Sequence, residues 1–225
     1  MKLAILGNGK TGSHVITLLQ GRSDIQYKVF DSKSPATLED LKGYDVVLSF
    51  LTGDVFITYI DNLIESGISV VTGSTGFEFN DYQLANINSG KAAWVRSNNF
   101  SLGMNLVRKA IELMQRAPTL FKDYKATIHE IHHTQKKDAP SGTALSWKDW
   151  LDLPCEVTSQ RTGDVVGTHI LNIETHTEKI SLKHEALDRT IFAEGALWAI
   201  DRVLKLEPGL HDFSDIALRT MLEEE

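Results

Sequence analysis

The residues whose types and spacing could do chemistry are concentrated in the stretch His129–Thr143. It holds the adjacent pair His132 and His133, and Lys136 and Lys137 follow shortly after. Imidazole and ammonium groups donate hydrogen bonds and carry or accept positive charge, so they attract anionic ligands. The stretch therefore predicts a site for a ligand that carries carboxylates.

The same stretch ends at the start of a predicted helix. Pro140 disfavours helical backbone at Ala139, and Ser141 or Thr143 can cap a helix that begins near Gly142. The amides of Gly142 and Thr143 would then lack helical partners and could donate to a carboxylate. This predicts that the helix start and the histidines bind the same anion.

Plainer interpretations of this stretch stay open. The histidines could be buried strand residues, and Lys137 could belong to a solvated loop. A zinc site would draw on four histidines: His129, His132, His133 and His169. However, neighbouring residues on a strand point to opposite faces, and no H-E-x-x-H or paired-cysteine spacing occurs. We therefore predict no metal site.

A second candidate site lies near the N-terminus, directly after the apolar run Leu3–Leu6. It has the spacing G-x-G-x-x-G, and its residues are Gly7, Asn8, Gly9, Lys10, Thr11 and Gly12. Glycines at these positions permit a tight turn, close approach to a pyrophosphate and close packing of helix on strand. The helix start then offers free amides to the phosphates. Between a strand and a helix, the motif predicts a dinucleotide site.

Asp31 ends the second predicted strand, nineteen residues after Gly12. A carboxylate there can accept hydrogen bonds from the adenosine ribose and repels a 2′-phosphate, which slightly favours NADH. Lys10 and Lys33 could instead meet a 2′-phosphate, so NADH and NADPH both stay open. The alternative is an ordinary strand–helix turn with a solvated aspartate.

The surrounding elements predict an α/β fold with two domains. Short apolar runs alternate with helical patterns in the first hundred residues, which predicts βαβ units and a Rossmann-like parallel sheet. Strand-like segments separated by turns follow, which predicts an α+β domain with a mixed or antiparallel sheet. We expect residues 1–100 and 190–225 to form the dinucleotide-binding domain and residues 101–189 the substrate domain.

Composition excludes several classes of protein. The net charge of −7 over 225 residues argues against a nucleic-acid partner, which would require a basic surface. The apolar run at the N-terminus is too short for a signal peptide or a membrane span. The single cysteine, Cys155, precludes an intrachain disulfide and is typical of a reducing compartment. We expect a cytoplasmic protein without membrane partners.

The stretch Glu130–Ala144 resembles the signature of the dihydrodipicolinate reductase family. That signature has two adjacent histidines, a lysine three residues later, and then Asp-Ala-Pro-Ser-Gly-Thr-Ala. Other segments resemble the family in the same order along the chain, namely Gly73–Phe77, Asn98–Gly103, Arg161–His169, His184–Ala186 with Arg189, Phe192–Ala196 and Pro208–Leu210. The resemblance covers nearly the whole chain.

This resemblance implies that NADH or NADPH reduces a small cyclic dicarboxylate, 4-hydroxy-tetrahydrodipicolinate, in lysine and diaminopimelate biosynthesis. It implies that His132 is the acid/base and that Lys136 donates the proton that completes the reduction. His133 and the amides of Gly142 and Thr143 are expected to hold the substrate carboxylates. A proton donor so placed speeds a reaction roughly 10²–10⁴-fold.

The resemblance also implies a homotetramer, formed through the sheet of the second domain. The residues expected to line the nicotinamide half of the cofactor site are Gly73, Ser74, Thr75, Ser97, Asn98, Asn99 and Phe100. The chain departs from the family in the cofactor domain, where the glycine loop is one residue shorter and Leu51 begins an unusual Leu-Thr-Gly segment. These departures leave the choice between NADH and NADPH open.

Two other functions stay open. The first is a nicotinamide-dependent dehydrogenase of another small acid; a semialdehyde type would need a cysteine nucleophile, and Cys155 is poorly placed for one. The second is a non-catalytic Rossmann nucleotide sensor. A sensor has no need of proton donors, so the presence of both His132 and Lys136 favours an enzyme.

Overall fold

The computed structural model describes residues 1–222. The chain divides into two compact units. One comprises Met1–Ser101 together with the segment that begins at Thr190, and the other is Leu102–Arg189. The last part of the predicted first domain, 223–225, lies outside the described residues. Cofactor binding by the first unit and substrate binding by the second stay predictions.

The helices and strands are numbered in chain order. They are β1 (Lys2–Leu6), α1 (Lys10–Leu19), β2 (Gln26–Phe30), α2 (Leu38–Leu41), β3 (Val46–Ser49), α3 (Gly53–Ser66), β4 (Ser69–Thr72), α4 (Asp81–Ser89), β5 (Ala93–Arg96), α5 (Leu102–Met114), β6 (Lys125–His132), α6 (Gly142–Leu151), β7 (Cys155–Arg161), β8 (Gly167–Glu174), β9 (Lys179–Ala186), α7 (Thr190–Val203), β10 (Gly209–Asp212) and α8 (Phe213–Leu222). None of the helices within residues 1–222 is long and apolar enough to cross a membrane.

The first unit is built on a six-stranded parallel sheet with the order β10-β5-β4-β3-β1-β2. Every residue of β3 and β4 is buried, as expected for strands covered on both faces. The strand order reverses at β1, because β2 lies on one side of it and β3 on the other. Ligands of such sheets bind beside the carboxyl ends of the strands at this point. The predicted Rossmann-like fold is confirmed.

The second unit has a four-stranded sheet with the order β7-β6-β8-β9. β6 runs parallel to β7 and antiparallel to β8, and β8 runs antiparallel to β9, so the predicted α+β fold is confirmed with a mixed sheet. Helices α5 and α6 contact each other, and they contact strands of this sheet. Their shared core consists of Met104, Val107, Ile111, Ala126, Ile128, Ala144, Trp147, Leu151 and Leu171.

The C-terminal segment contributes more to the first sheet than the sequence pattern predicts. The periodicity predicts a helix over 191–204, and the structure adds β10 and α8 after it. β10 is only four residues long and pairs in parallel with β5, so it carries no alternation long enough to identify a strand. One edge strand of the first sheet, β10, is therefore distant in sequence from the other strands.

Candidate functional site

The glycine loop after β1 has the geometry that a phosphate site requires. Gly7 has φ +96°, a conformation that favours glycine, and its amide donates to the carbonyl of Phe30 at 2.8 Å. A Cβ atom at Gly12 would lie only 2.5 Å from the carbonyl oxygen of Gly7. A Cβ atom at Gly9 would meet nothing within 4 Å. The loop thus packs tightly against α1 and leaves open space at Gly9, the N-cap of that helix.

This loop fits the pyrophosphate of a dinucleotide. Lys10 and Thr11 are the first residues of α1, so their amides have no helical partners and point towards the helix N-terminus. Asn8 and Lys10 are exposed beside them. A bound nicotinamide dinucleotide would supply the hydride for a reduction, and these residues would hold its phosphates.

Asp31 lies at the end of β2, where the fingerprint places an acidic residue. Its Oδ1 accepts hydrogen bonds from the amides of Lys33 at 2.9 Å and Ser34 at 3.1 Å. The carboxylate thus stabilises the turn that it begins, and the side chain is exposed. These hydrogen bonds give Asp31 a structural role in the turn. Its role in binding an adenosine ribose stays a prediction.

The segment Gly73–Thr75 follows β4 directly. The amide of Gly73 donates to the carbonyl of Ser49 at 2.8 Å, and a Cβ atom at Gly73 would lie 2.3 Å from the ring of Phe50. The hydroxyls of Ser74 and Ser49 are 3.0 Å apart and buried. A side chain at position 73 would require the Phe50 ring to move, so the loop after β4 packs closely against the residue that follows β3.

The segment Ser97–Phe100 follows β5 and is folded on itself. The Ser97 hydroxyl donates to the carbonyl of Asn99 at 2.8 Å and accepts from its amide at 3.1 Å. A Cβ atom at Gly195 of α7 would lie 1.7 Å from the carbonyl oxygen of Phe100, so α7 approaches this segment very closely. Asn98 and Thr75 are exposed. The predicted cofactor residues thus follow β1, β2, β4 and β5, whose carboxyl ends share one edge of the sheet.

In the second unit, the alternation along β6 sorts the polar residues between the two faces of its sheet. Glu130 and His132 lie on the face buried by the helices, and they are 0% and 7% exposed. His129 lies on the opposite face, where its Nδ1 is 2.8 Å from the hydroxyl of Thr158. His133 follows the end of the strand, and its Nε2 is 3.3 Å from a guanidinium nitrogen of Arg189.

Glu130 is the centre of a hydrogen-bond network. Its Oε1 accepts from Nη2 of Arg161 at 2.8 Å and from the amide of Ser141 at 3.2 Å, and its Oε2 is in direct contact with Nδ1 of His132. Burial by itself raises the pKa of this carboxyl, but hydrogen bonds from Ser159, Arg161 and Ser141 outweigh it and hold the pKa at about 2. Glu130 is therefore ionised throughout the neutral range.

His132 is neutral in the same range. Burial lowers its pKa from the ordinary value, and the Glu130 carboxylate opposes that effect. Its ring meets the ring of His169 edge to face, with centroids 5.1 Å apart. A Cβ atom at Gly167 would lie 3.0 Å from its Nε2, so the backbone of β8 also borders the ring.

Lys136 lies on the loop between β6 and α6, with its side chain one quarter exposed. Its ammonium group is 2.9 Å from a carboxylate oxygen of Asp138. Arg161 donates from Nε to the carbonyl of Lys136 at 3.3 Å and from Nη2 to the carbonyl of Asp138. The loop that carries Lys136 is thus tied to β7 by one guanidinium group, and the neighbouring Lys137 is exposed.

The start of α6 has the predicted cap. The Ser141 hydroxyl accepts from the amide of Ala144 at 3.2 Å, which leaves the amides of Gly142 and Thr143 as the first free donors of the helix. The same hydroxyl lies 3.2 Å from Nε2 of His169. Burial, with a smaller effect of His132, lowers the pKa of His169 to about 4.

The residues whose positions could hold a metal differ from the four histidines that the sequence suggests. Within residues 1–222, one group offers ligand atoms within 4.8 Å of one another, and its members are Glu130, His132 and His169. The Glu130 carboxylate already binds the Arg161 guanidinium and directly contacts His132, which is the pattern of a hydrogen-bonded network. We assign no metal here, and its absence stays a prediction.

Four polar residues that contact the predicted site residues were not themselves predicted. They are Glu130, Arg161, His169 and Arg189. One signal for Glu130 was present, because positions two apart on a strand share a face and Glu130 precedes His132 by two. The positions of Arg161 and His169 depend on the pairing of β6 with β7 and β8, which no local pattern specifies.

The fold is shared with solved structures of reductases and dehydrogenases. A structure described as dipicolinate-bound dihydrodipicolinate reductase from Paenisporosarcina sp. TG-14 superimposes with a TM-score of 0.77 at 21% identity, covering 96% of this chain and 99% of that one. An engineered D-amino acid dehydrogenase bound to NADP⁺ gives 0.53 at 12% identity, covering 100% and 97%. At these identities the likeness concerns the fold alone.

Sequence relatives identify the family. The 4-hydroxy-tetrahydrodipicolinate reductase of Thermosipho africanus is 31% identical over 217 residues, which cover 96% of this chain and 97% of that protein. The enzyme of the same name from Stenotrophomonas maltophilia is 32% identical over 208 residues, covering 90% and 85%. Residues 1–100 match the family domain described as dihydrodipicolinate reductase, N-terminus, and residues 103–217 match the corresponding C-terminus domain. This chain therefore belongs to the dihydrodipicolinate reductase family.

Proposed function

We propose that this chain reduces 4-hydroxy-tetrahydrodipicolinate to tetrahydrodipicolinate with NADH or NADPH, as its relatives are named to do. The observation that carries the proposal is the meeting of three features at one end of β6. These are a neutral buried imidazole, an ammonium group on the adjoining loop and the free amides at the start of α6. Together these groups can bind a ligand with two negative charges and donate a proton to it.

The substrate carboxylates bind to the helix start in this proposal. The amides of Gly142 and Thr143 donate to one carboxylate, and the partial positive charge of the helix N-terminus adds to the attraction. His133 holds the other, supported by the guanidinium group of Arg189 beside it. This assignment is supported by charge and by the positions of the donors in the second unit.

The proton comes from the groups on β6 and its loop. Reduction of a conjugated imine leaves an electron-rich carbon or nitrogen that must be protonated. Lys136 carries an ammonium proton and is partly exposed, so it can be recharged from solvent. His132 acts as the acid/base, with Glu130 in contact with the far side of its ring.

Cofactor binding falls to the first unit. The residues of the glycine loop and of the segments after β4 and β5 would hold the phosphates and the nicotinamide ring. Asp31 slightly favours NADH over NADPH. We also propose a homotetramer formed through the face of the four-stranded sheet that α5 and α6 do not cover, on the strength of the family resemblance; the mass in solution is its direct measure.

The proposal is tested by measuring the oxidation of NADH or NADPH in a coupled assay, in which dihydrodipicolinate synthase produces the substrate. We expect turnover with that substrate and none with simple keto acids. Lys136→Ala should lose roughly 10²–10⁴-fold in kcat with unchanged cofactor affinity. Lys137→Ala, one residue away on the same loop and exposed, is the matched control and should keep wild-type kcat.

The outcomes separate the three candidate functions. Turnover with keto acids in place of the cyclic substrate would indicate another dehydrogenase. Tight cofactor binding without turnover of any of these compounds would indicate a sensor. Full turnover by a folded Lys136→Ala variant would refute the assigned proton donor and leave the reaction itself in place.

A further inference from the structure

We propose that Glu130 is the positioning residue of this site, fixing the imidazole of His132 and, through Arg161, the loop that carries Lys136. The inference rests on the proposed function, in which those two residues handle protons. Glu130 itself is completely buried and touches neither substrate nor cofactor in this scheme. It acts through the groups that it holds.

Glu130 contacts His132 directly. Oε2 of Glu130 is in direct contact with Nδ1 of the ring, and the negative carboxylate oxygen would repel the lone pair of an unprotonated nitrogen. Nδ1 must therefore carry the proton of the neutral imidazole, and Nε2 must carry the lone pair. One carboxylate thus fixes the tautomer and leaves a single basic nitrogen, Nε2, for chemistry.

The imidazole ring of His132 is closely packed on its other sides. Nε2 of His132 borders the backbone at Gly167, where a Cβ atom would lie 3.0 Å away, and the ring of His169 packs edge to face beside it. A flipped ring would place a carbon atom against Oε2 of Glu130 and lose the contact with Nδ1. Packing therefore fixes the plane of the ring, and the carboxylate selects which of its two orientations is adopted.

The other carboxylate oxygen of Glu130, Oε1, contacts the rest of the candidate site. Oε1 accepts from Arg161 at 2.8 Å, and the same guanidinium donates to the carbonyls of Lys136 and Asp138. Oε1 also accepts from the amide of Ser141, the N-cap of α6, at 3.2 Å. A single carboxylate therefore joins the histidine, the lysine loop and the helix start.

The burial of the Glu130 charge among so many partners is better explained by a role in positioning them than by a gain in folding stability. Removing a carboxylate and a guanidinium group from water is costly, and buried ion pairs often add little net stability over apolar side chains. A neutral side chain could fill the volume of Glu130. It could not accept from Arg161, Ser141 and His132 at once.

The decisive variant is Glu130→Gln. Its amide has one oxygen, so it can accept from His132 or from Arg161, and its NH₂ group opposes the remaining donor. We expect kcat to fall on the order of 10²-fold, the lower end of the effect of a positioned acid or base. Affinity for the reduced nicotinamide, measured by fluorescence titration, should not change because that site is in the first unit.

A purely structural role would leave the pH profile in place, so the profile is the discriminating readout. The charged and titratable groups facing His132 are Glu130 on its own strand, Arg161 on β7, His169 on β8 and Lys136 on the loop. Removing the negative charge of Glu130 makes the imidazole harder to protonate. The limb of the kcat profile that reports His132 should therefore move to lower pH.

Nitrogen-15 NMR of the histidines tests the geometry without any turnover. In the wild type, with the His132 signal assigned from a His132→Gln variant, we expect the Nδ1-protonated tautomer. Glu130→Gln should populate both tautomers, and Glu130→Asp, which keeps the charge on a shorter side chain, should restore part of kcat. Glu178→Gln removes the same charge at an exposed turn and should match the wild type.

A folded Glu130→Gln variant with wild-type kcat and pH profile would overturn the proposal. So would an Nε2-protonated His132 in the wild type, which decides the matter even if the variants do not fold. Absence of turnover by the wild type would instead count against the proposed function. The NMR result stands apart from that failure, because it depends only on the Glu130–His132 contact.

Discussion

At the scale of single residues, burial sets the protonation of the histidines in the second unit. Desolvation lowers the pKa of His132, His169 and His184, because the charged imidazolium loses more hydration than the neutral ring. The shift is largest for His169, to about 4. These side chains are therefore harder to protonate than a free imidazole, so acidification opposes the folded state.

The first consequence is a loss of stability in acid. The ordinary His169 pKa of 6.5 falls to about 4 on folding, so the unfolded chain binds a proton that the folded chain refuses. The free energy of unfolding should fall as pH decreases from 6.5 to 4. His169 should contribute at most about 3 kcal/mol of that fall.

Urea unfolding across this pH range, compared between wild type and His169→Gln, measures the contribution. Gln retains a donor and acceptor near Ser141 and does not titrate, so the variant should lose stability less steeply towards acid. His176→Gln, at an exposed turn, is the control for residue type. Equal slopes for the wild type and His169→Gln would contradict the assignment of this loss to His169.

At the scale of elements, both candidate sites are built where a strand or loop meets a helix start. The glycine loop before α1 would offer amides to phosphates, and the capped start of α6 would offer amides to carboxylates. In both cases a small residue or a hydroxyl leaves the first amides free. The two candidate anion sites therefore share one physical feature, a helix start with free amides.

The glycine loop gives the second prediction. Gly12→Ala would place a methyl group 2.5 Å from the carbonyl oxygen of Gly7, so α1 must move away from the loop. We expect at least a tenfold weaker affinity for reduced nicotinamide, and a loss of about 1–3 kcal/mol in stability from overpacking. Fluorescence titration and thermal unfolding measure the two effects.

A matched control exists at the other end of the same helix. A Cβ atom at Gly21 would lie 3.7 Å from the nearest atom, the carbonyl oxygen of Leu18, which is an ordinary contact. Gly21→Ala should therefore bind the cofactor like the wild type. If Gly12→Ala also binds like the wild type, the close approach at the loop does not serve the phosphate site.

The sequence could predict those parts of the molecule that rest on local signals. The strand–glycine–helix motif, the buried runs of β3 and β4 and the cap at Ser141 are set by neighbours along the chain, and the structure has all three. The Glu130–Arg161 contact depends on the register of β6 with β7, and β10 on pairing with β5. Such pairings between distant segments leave no periodic trace.

At the scale of the whole molecule, the two units differ in the number of chain segments that form them. The second is one uninterrupted stretch, Leu102–Arg189, whereas the first requires the segment that begins at Thr190. Helix α7 contacts α1 and strands of the first sheet. The residues of α7 that are wholly buried are Ala193, Ala196, Ala199, Ile200 and Val203. The first unit thus depends on a helix that lies far away in sequence.

The third prediction follows from that dependence. A chain that ends after Arg189 keeps every element of the second unit and lacks α7, β10 and α8. It should lose cofactor binding and bind a hydrophobic dye, because the surface that α7 covers becomes exposed. Retention of nicotinamide affinity by this shortened chain, measured by fluorescence titration, would contradict the prediction.

The divided first unit also sets an order of events during synthesis. A ribosome releases the chain from its N-terminus, and compact domains fold as units once they emerge. The second unit is complete as soon as Arg189 has emerged, whereas the sheet carrying the glycine loop must wait for β10. The portion made first is thus the portion finished last, because one edge of β5 stays unpaired until β10 has emerged.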